Sequence, residues 1–442
     1  MTFPRFIPAT WLRFKFIMPP ALTILLMAGC ADPSPEIQKD TGPDLRFGIT
    51  GTIGDNVPDA RHPFRLLERP EIQKLVFELA DSSRSESYLE DRLDGTGLTV
   101  QDLEAAGVVR EEAGLYFLDF CLLTADDVKQ VSAEAARYGA GLAAAVLERR
   151  EELDPLLLEM SPPGVAAEAT AFIVMGCFML DWYGGFFAKD RGYADSARTH
   201  GNGSRYSLWA VERPSLDLKG MYWGSHNDYR EGRVLSSFGD HHALPRTAFP
   251  DLLRRLRSAV RRVETDPSIQ PLLADLATDK LDRLADDVGA IMLGLRSRDL
   301  KARELSSGTG IEMNRLGRIL DLLERLDYIE TDKSSTAVRA VIPVLAAEDA
   351  VPLRKIRDLT AGILETWLEE NYETLRESLG DITPLRFDVP FNEVFIQVWH
   401  EIFGAANKAL AAEDWYAAPY ARRYPGFIPA VWDRSLSDVI RN

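Results

Sequence analysis

The sequence predicts a mostly helical α+β fold in which two repeated units, each of three helices and a β-hairpin, flank a central region with its own hairpin. The first observation is a helical stripe of apolar residues in Asp279 to Leu295 and again in Glu312 to Leu326. The second is a similar order of segments in residues 65–155. The third is a set of short runs that are typical of strands: Tyr206 to Glu212, Met221 to Asp228 and Val234 to Phe238.

The later unit shows the pattern more clearly. A tight turn at Ser306 to Gly310 separates its second helix from its third, and Thr331 to Thr336 forms the tip of its hairpin. The predicted helices are Asp279 to Leu295, Asp299 to Leu305 and Glu312 to Leu326, and the predicted strands are Tyr328-Ile329 and Val338 to Leu345.

The earlier unit follows the same order. Its third helix is capped by Thr99 and stopped by Gly107. The predicted helices are Pro70 to Ala80, Glu86 to Leu93 and Thr99 to Ala106, and the strands are Val108 to Arg110 and Leu115 to Leu123. Both units run into a long helix through similar segments, Leu123 to Asp127 and Leu345 to Asp349, which predicts an internal duplication.

The later unit contains a series of short motifs in a fixed order: Glu304-Leu305, Thr309-Gly310-Ile311, Leu322-Leu323 to Leu326 and Tyr328-Ile329. With these motifs it resembles the winged-helix fold of bacterial repressors of the arsenic- and antibiotic-resistance type. The resemblance implies that the third helix is a recognition helix, whose candidate phosphate contacts are Asn314, Arg315, Arg318 and Arg325.

The earlier unit argues against DNA binding. Its third helix carries Asp102 and Glu104 and no Lys or Arg, so it would repel phosphate groups. The whole chain is also acidic, with a net charge of -17. Nucleic acid is therefore not an expected partner, and winged units are also used for contacts with proteins.

The N-terminus predicts export. Arg5, Arg13 and Lys15 precede the apolar segment Phe16 to Gly29, which is too short to span a bilayer. It ends in Met27-Ala28-Gly29-Cys30, which resembles the lipobox of bacterial lipoproteins. The resemblance implies that residues 1–29 are a signal peptide and that Cys30 carries the lipid. An Asp directly after the lipidated Cys would mark retention in the cytoplasmic membrane. This position holds Ala31, which favours the outer membrane over the outer face of the cytoplasmic membrane.

Changes in composition divide the mature chain into segments. Removal of the leader with its three basic residues changes the net charge from -17 to -20. With 46% hydrophobic residues the chain can bury a substantial core. The predicted segments are a flexible tether (30–62), the first winged-helix-like domain with its long helix (63–160), a central α+β region (161–275), the second such domain (276–385) and an aromatic-rich helical tail (386–442).

Several segments are predicted to serve the core. Glu168 and Asp181 interrupt the apolar stretch Val165 to Phe187, so a buried helix is favoured over a membrane span. In the tail Phe395, Trp399 and Phe403 share one helix face, which favours core packing, with a partner groove as the alternative. Five arginines follow Pro250 on a predicted helix: Arg254, Arg255, Arg257, Arg261 and Arg262. The favoured explanation is a solvent-exposed helix face whose arginines pair with neighbouring acids, and contact with anionic lipid is the alternative.

Two further groups bear on chemistry. Cys121 and Cys177 both lie in apolar runs, and the sequence leaves open whether they pair. A hairpin could bring together a polar cluster for metal binding or acid–base work, namely His226, Asp228, Asp240, His241 and His242. Roles in strand ends, turns and helix caps are the favoured explanation, so no metal site and no cofactor are predicted.

Together these patterns predict a lipid-anchored, non-catalytic binding or regulatory protein outside the cytoplasm. Its partners would be the membrane, through the Cys30 lipid, and another protein. Two alternatives remain: a winged-helix transcriptional regulator whose start lies downstream of the leader, and a metal-dependent enzyme at His226, Asp240 and His241. The ligand, the pathway and the oligomeric state are left open.

Overall fold

The structure, a computed structural model, describes residues 44–195, 197–213, 222–240, 248–257, 281–417 and 426–441. It confirms a mixed α+β fold, in which long helices are combined with several small sheets. The leader and Cys30 lie outside the described residues, so the signal peptide and the lipid anchor stay predictions.

Part of the predicted tether is ordered, which corrects the sequence analysis. Strand β1, Asp44–Thr52, pairs antiparallel with β7, Arg205–Arg213, over its whole length. Glycine is needed in this strand for close packing, because a Cβ on Gly48 would lie 2.4 Å from the Trp209 ring. The short helix α1, Pro63–Leu67, follows.

The first unit spans residues 70–118 and follows the predicted order. Thr99 Oγ1 accepts a hydrogen bond from Asp102 N at 3.3 Å, and Gly107 (φ +64°) ends the turn after the third helix. The three strands form a sheet in the order β2-β4-β3. The elements are α2 Pro70–Asp81, β2 Arg84–Ser85, α3 Glu86–Leu93, α4 Val100–Ala105, β3 Val109–Glu112 and β4 Leu115–Leu118.

The second unit spans residues 281–340 and repeats this order, with a sheet ordered β10-β12-β11. The predicted turn at Ser306 to Gly310 is wrong, because Ser306 to Thr309 form the last turn of a helix that ends at Gly310 (φ +73°). Thr309 Oγ1 donates to Leu305 O at 2.7 Å and so stays within the helix. The elements are α9 Leu281–Gly294, β10 Leu300–Lys301, α10 Ala302–Thr309, α11 Met313–Arg325, β11 Ile329–Thr331 and β12 Ala337–Ala340.

Each unit is followed by a strand that leaves its sheet. The sequence analysis joined these strands to the hairpins, but β5, Cys121–Leu123, pairs parallel with β7, and β13, Val344–Leu345, pairs parallel with β14, Phe427–Asp433. A parallel pair requires a long crossover connection. Within the described residues, each crossover contains three helices of four residues or more.

The repeated order therefore extends beyond the two units. In the first half (residues 44–213) the crossover helices are α5 Ala125–Leu147, α6 Arg150–Glu159 and α7 Ala167–Asp190. In the second half (residues 233–433) they are α12 Ala350–Ser378, α13 Thr383–Arg386 and α14 Phe391–Ala412. Strand β9, Arg233–Asp240, pairs with β14 as β1 pairs with β7. The other described elements are β6 Arg198–Thr199, β8 Tyr222–Arg230, α8 Phe249–Arg257 and α15 Leu436–Arg441.

The two halves pack against each other reciprocally. Helix α5 lies along α14 so closely that a Cβ on Gly139 would be 2.7 Å from Ala405 Cβ. At the start of α5, Asp127 accepts a hydrogen bond from Thr383 N of the other half at 2.9 Å. At the corresponding start of the second long helix, Asp349 pairs with Arg296, which also donates to the Glu159 carbonyl of the first half at 3.4 Å.

The shared core is built around α7 and α14. Among the described residues α7 is the one helix long and apolar enough to cross a membrane, yet 78% of its apolar window is buried in the protein. Its role as a buried helix is confirmed, and so is core packing by Phe395, Trp399 and Phe403, all buried. Cys121 and Cys177 are both buried and do not form a disulfide bond with each other, which answers the question that the sequence left open.

Candidate functional site

Among its described members, the candidate polar cluster does not bring Asp240 next to His226. The hairpin of β8 and β9 turns at Glu231-Gly232, and its register places His226 opposite Ser237 and Asp240 opposite Tyr222. His226 and Tyr222 are four residues apart, so Asp240 lies about 13 Å along the sheet from His226. His241 and His242 lie outside the described residues.

The described members of the cluster have structural partners instead. His226 Nδ1 is bonded to Asp251 of α8, and Ser237 Oγ donates to the same carboxylate at 3.1 Å. Asp228 is paired with Arg257, also from α8. Within the described ranges no group of three His, Cys, Asp or Glu side chains is arranged to hold a metal ion. The sequence analysis missed this arrangement because the partners come from α8 rather than from the hairpin.

The candidate recognition helix α11 offers fewer cations than predicted. Asn314 and Arg325 are exposed and Arg318 is half-buried. Arg315, however, is not on the exposed face: its side chain is 8% exposed and its Nε lies 2.6 Å from Asp287 Oδ2 on α9. This corrects its assignment as a phosphate contact.

In the first unit the corresponding helix α4 is acidic on its accessible side. Asp102 lies 3.0 Å from Arg61, and it also completes the cap of the helix. The pKa of Glu104 is raised by partial burial and by the nearby carboxylates of Glu111 and Glu86. Neither third helix therefore presents a continuous cationic face.

The structure reveals a different site, a cavity of about 240 Å³ where the two halves meet. The end of β1, the C-terminal turns of α7, the start of β7 and the middle of α14 enclose it. Its lining residues are Thr50, Gly51, Thr52, Asp181, Gly185, Phe186, Lys189, Ala194, Asp195, Ala197, Arg205, Ile396, Trp399 and His400.

Two titratable groups of the cavity have strongly shifted pKa values. Burial raises the pKa of Asp181 well above its usual range, against the opposing effect of a hydrogen bond with Ser225. Asp181 lies where α7 has π-helical hydrogen bonding, between Phe172 and Tyr183, and such segments often mark functional sites. Burial also lowers the pKa of His400 to about 4, so the imidazole is neutral at pH 7.

The geometry of His400 fixes its tautomer. Nδ1 lies 2.6 Å from the Ile396 carbonyl oxygen, so Nδ1 carries the proton and donates it. In the neutral ring Nε2 is then an acceptor, and among the described residues it has no hydrogen-bond partner. The ring is held edge-on to Trp223, with 5.2 Å between centroids.

A second buried carboxyl lies next to this histidine in the chain. Burial raises the pKa of Glu401 to about 7, with Arg46 acting in the opposite direction. Glu401 Oε2 is buried without a hydrogen-bond partner in the described structure. The Arg46 guanidinium lies 6.0 Å from the Trp209 ring and 5.9 Å from the Trp223 ring.

Charged side chains lie around the apolar part of the cavity. Lys189 makes no ion pair with any described residue, and Arg205 Nε donates to the Ala197 carbonyl at 3.1 Å. Asp195 Oδ1 accepts from Ala197 N at 3.2 Å. The walls between these groups are formed mainly by Phe186, Ile396 and Trp399.

Sequence reasoning missed this site, although it noticed one of its signals. Asp181 was recognised as an acid within an apolar helix, and His400-Glu401 stand beside the aromatic stripe of α14. Nothing in the local pattern indicates that α7 and α14 bring Asp181 and His400 to the same cavity. Comparisons of the chain with protein-family models, with curated proteins and with solved structures gave no match.

Proposed function

We propose that the chain is a lipid-anchored, non-catalytic binding or regulatory protein built on two winged-helix units that contact another protein. Support for the winged-helix assignment comes from the order helix, strand, helix, helix, strand, strand in both units. In each, the first strand adds to the third, so that the sheet orders β2-β4-β3 and β10-β12-β11 correspond.

The observation that carries a protein partner rather than DNA is the ion pair between Arg315 and Asp287. It removes the central arginine from the outer face of α11, because both side chains are largely buried. The acidic α4 adds repulsion in the other unit. A protein that binds duplex DNA through two winged-helix units would need cationic faces on both third helices, since contacts with phosphate groups supply a large share of the affinity.

The first test concerns the anchor. Replacing Cys30→Ser is expected to move the protein from the detergent phase to the aqueous phase in a phase-partition assay, because the thiol that accepts the lipid is lost. Cys121→Ala, which changes a buried thiol of the folded body, is the matched control and should leave partition unchanged. Wild-type protein in the cytoplasm with an unprocessed leader would contradict the anchor and favour a transcriptional regulator.

The second test concerns nucleic acid. The mature chain, residues 30–442 with Cys30→Ser, should bind duplex DNA no more tightly than the non-specific range of about 10⁻⁴ to 10⁻⁶ M at physiological salt. Fluorescence anisotropy with a pool of random duplexes measures this directly. Nanomolar binding that is lost in Arg325→Ala, an exposed position on α11, would overturn the proposal. Arg315→Ala is unsuitable as a test because it leaves Asp287 without its partner.

A further inference from the structure

The cavity between the halves has the size of a small-molecule site. Its volume of about 240 Å³ exceeds the roughly 150 Å³ of an apolar cavity that holds benzene. It falls just below the roughly 300–1,000 Å³ typical of drug-sized ligands. A compact molecule of one or two rings, or a branched chain of similar bulk, would fit within this volume.

The walls and the charged groups define the chemistry of the occupant. Phe186, Ile396 and Trp399 provide apolar surface, which suits the body of such a molecule. Lys189 and Arg205 outnumber the single carboxylate of Asp195, which already accepts a backbone hydrogen bond. Two cations beside an apolar pocket favour an anionic head group, and a carboxylate matches both Lys and Arg.

The remaining polar groups do not oppose an anion. The raised pKa of Asp181 favours its protonated form, which can donate a hydrogen bond and carries no charge. His400 is neutral at pH 7 and offers Nε2 as an acceptor for an N–H or O–H of the ligand. The π-helical stretch of α7 that carries Asp181 is a second, independent feature typical of functional sites.

We propose that the cavity enclosed by α7, α14 and the edge of the β1–β7 pair binds a small organic carboxylate with an apolar body of one or two rings. The carboxylate would be held by Lys189 and Arg205, and the body would lie against Phe186, Ile396 and Trp399. This site is independent of the anchor and of the winged-helix surfaces.

The experiment compares three probes of similar size on the mature chain, residues 30–442 with Cys30→Ser. Phenylacetate, phenylacetamide and phenethylamine carry the same ring with an anionic, a neutral and a cationic head. Titration calorimetry and ligand-observed NMR at neutral pH should show phenylacetate binding at least tenfold more tightly than the other two. Naphthoate should also bind, and dodecanoate, which represents a lipid-derived acid, should bind more weakly than either ring compound.

Variants locate the binding in the cavity. Gly185 lies on the wall, and a Cβ there would meet only Ile396 Cδ1 at 3.8 Å, so there is room for a side chain. Gly185→Leu should weaken phenylacetate at least tenfold by filling the cavity, and Gly185→Ala should weaken it several-fold with the fold intact. Gly362→Leu is the matched control, since Gly362 is an exposed helical glycine with nothing within 4 Å of its added Cβ.

A charge variant tests the head group. Lys189→Met should weaken phenylacetate at least fivefold and leave phenylacetamide unchanged. Equal affinities for the acid and the amide, tighter binding of the amine, or unchanged binding in both Gly185 variants would overturn the proposal. So would the absence of saturable binding by every probe at millimolar concentration, whereas tighter binding of dodecanoate would overturn the proposed size of the ligand.

Discussion

Arg296→Met is expected to lower the free energy of unfolding by about 3–5 kcal/mol, the usual cost of breaking a buried ion pair from one side. Arg296 and Asp349 have side chains that are 10% and 3% exposed, and two hydrogen bonds of 3.1 and 2.7 Å join them. Without the guanidinium, Asp349 must either remain charged in the core or take up a proton. Urea denaturation followed by circular dichroism measures the change.

A double variant distinguishes the loss of the Arg296–Asp349 attraction from the cost of leaving the Asp349 carboxylate buried without its partner. Arg296→Met combined with Asp349→Asn should recover much of the lost stability, because the side-chain amide is neutral. Its oxygen can still accept the hydrogen bond that Ala346 N donates to Asp349 Oδ2 at 2.7 Å in the wild-type protein. The control is Arg376→Met, which removes an exposed pair with Glu373 and should change stability by less than about 1 kcal/mol. A similar, small loss in Arg296→Met and Arg376→Met would show that the buried pair contributes little to stability.

Glu401→Gln is expected to stabilise the protein at alkaline pH, by up to about 3 kcal/mol at 1.36 kcal/mol per pKa unit. The pKa of Glu401 is raised from an ordinary 4.5 to about 7, so the folded state resists ionisation that the unfolded state accepts. Wild-type stability is therefore lost as pH rises from about 4.5 to about 7. Glutamine is neutral throughout and avoids this loss.

The measurement is the urea midpoint of Glu401→Gln and wild type at intervals between pH 4 and pH 8. The advantage of the variant should vanish near pH 4 and reach its full size above pH 7, which follows the raised pKa of this carboxyl. Glu413→Gln, at an exposed position, is the control and should track wild type across the range. An advantage of equal size at every pH would show that Glu401 is not the titrating group.

The sequence predicted the elements that depend on local pattern. The 3.6-residue apolar period located α9 and α11, the Thr99 cap located α4, and the long apolar stretch located α7. Local pattern could not show that the strands after each hairpin are separate elements. Strands β5 and β13 leave their hairpins for partners that come much later in the chain, β7 and β14.

The candidate site was less predictable for the same reason. Arg315 lies four and seven residues before the buried Ile319 and Leu322, and only the position of Asp287 on α9 explains how a cation can occupy this inner face. The glycines of β1 resemble a linker until the Trp209 ring is placed against Gly48. The cavity depends on the packing of α7 against α14, which no periodicity within either helix specifies.

The reciprocal packing of the two halves has a consequence for assembly. Two separate copies joined in this way would form a dimer whose stability depends on protein concentration. Because one chain carries both halves, their association is intramolecular and proceeds at a fixed effective concentration. Each surface then occurs once rather than twice, so the two halves are free to differ. The acidic α4 and the arginine-bearing α11 occupy corresponding positions with opposite charge, which a symmetric homodimer cannot achieve.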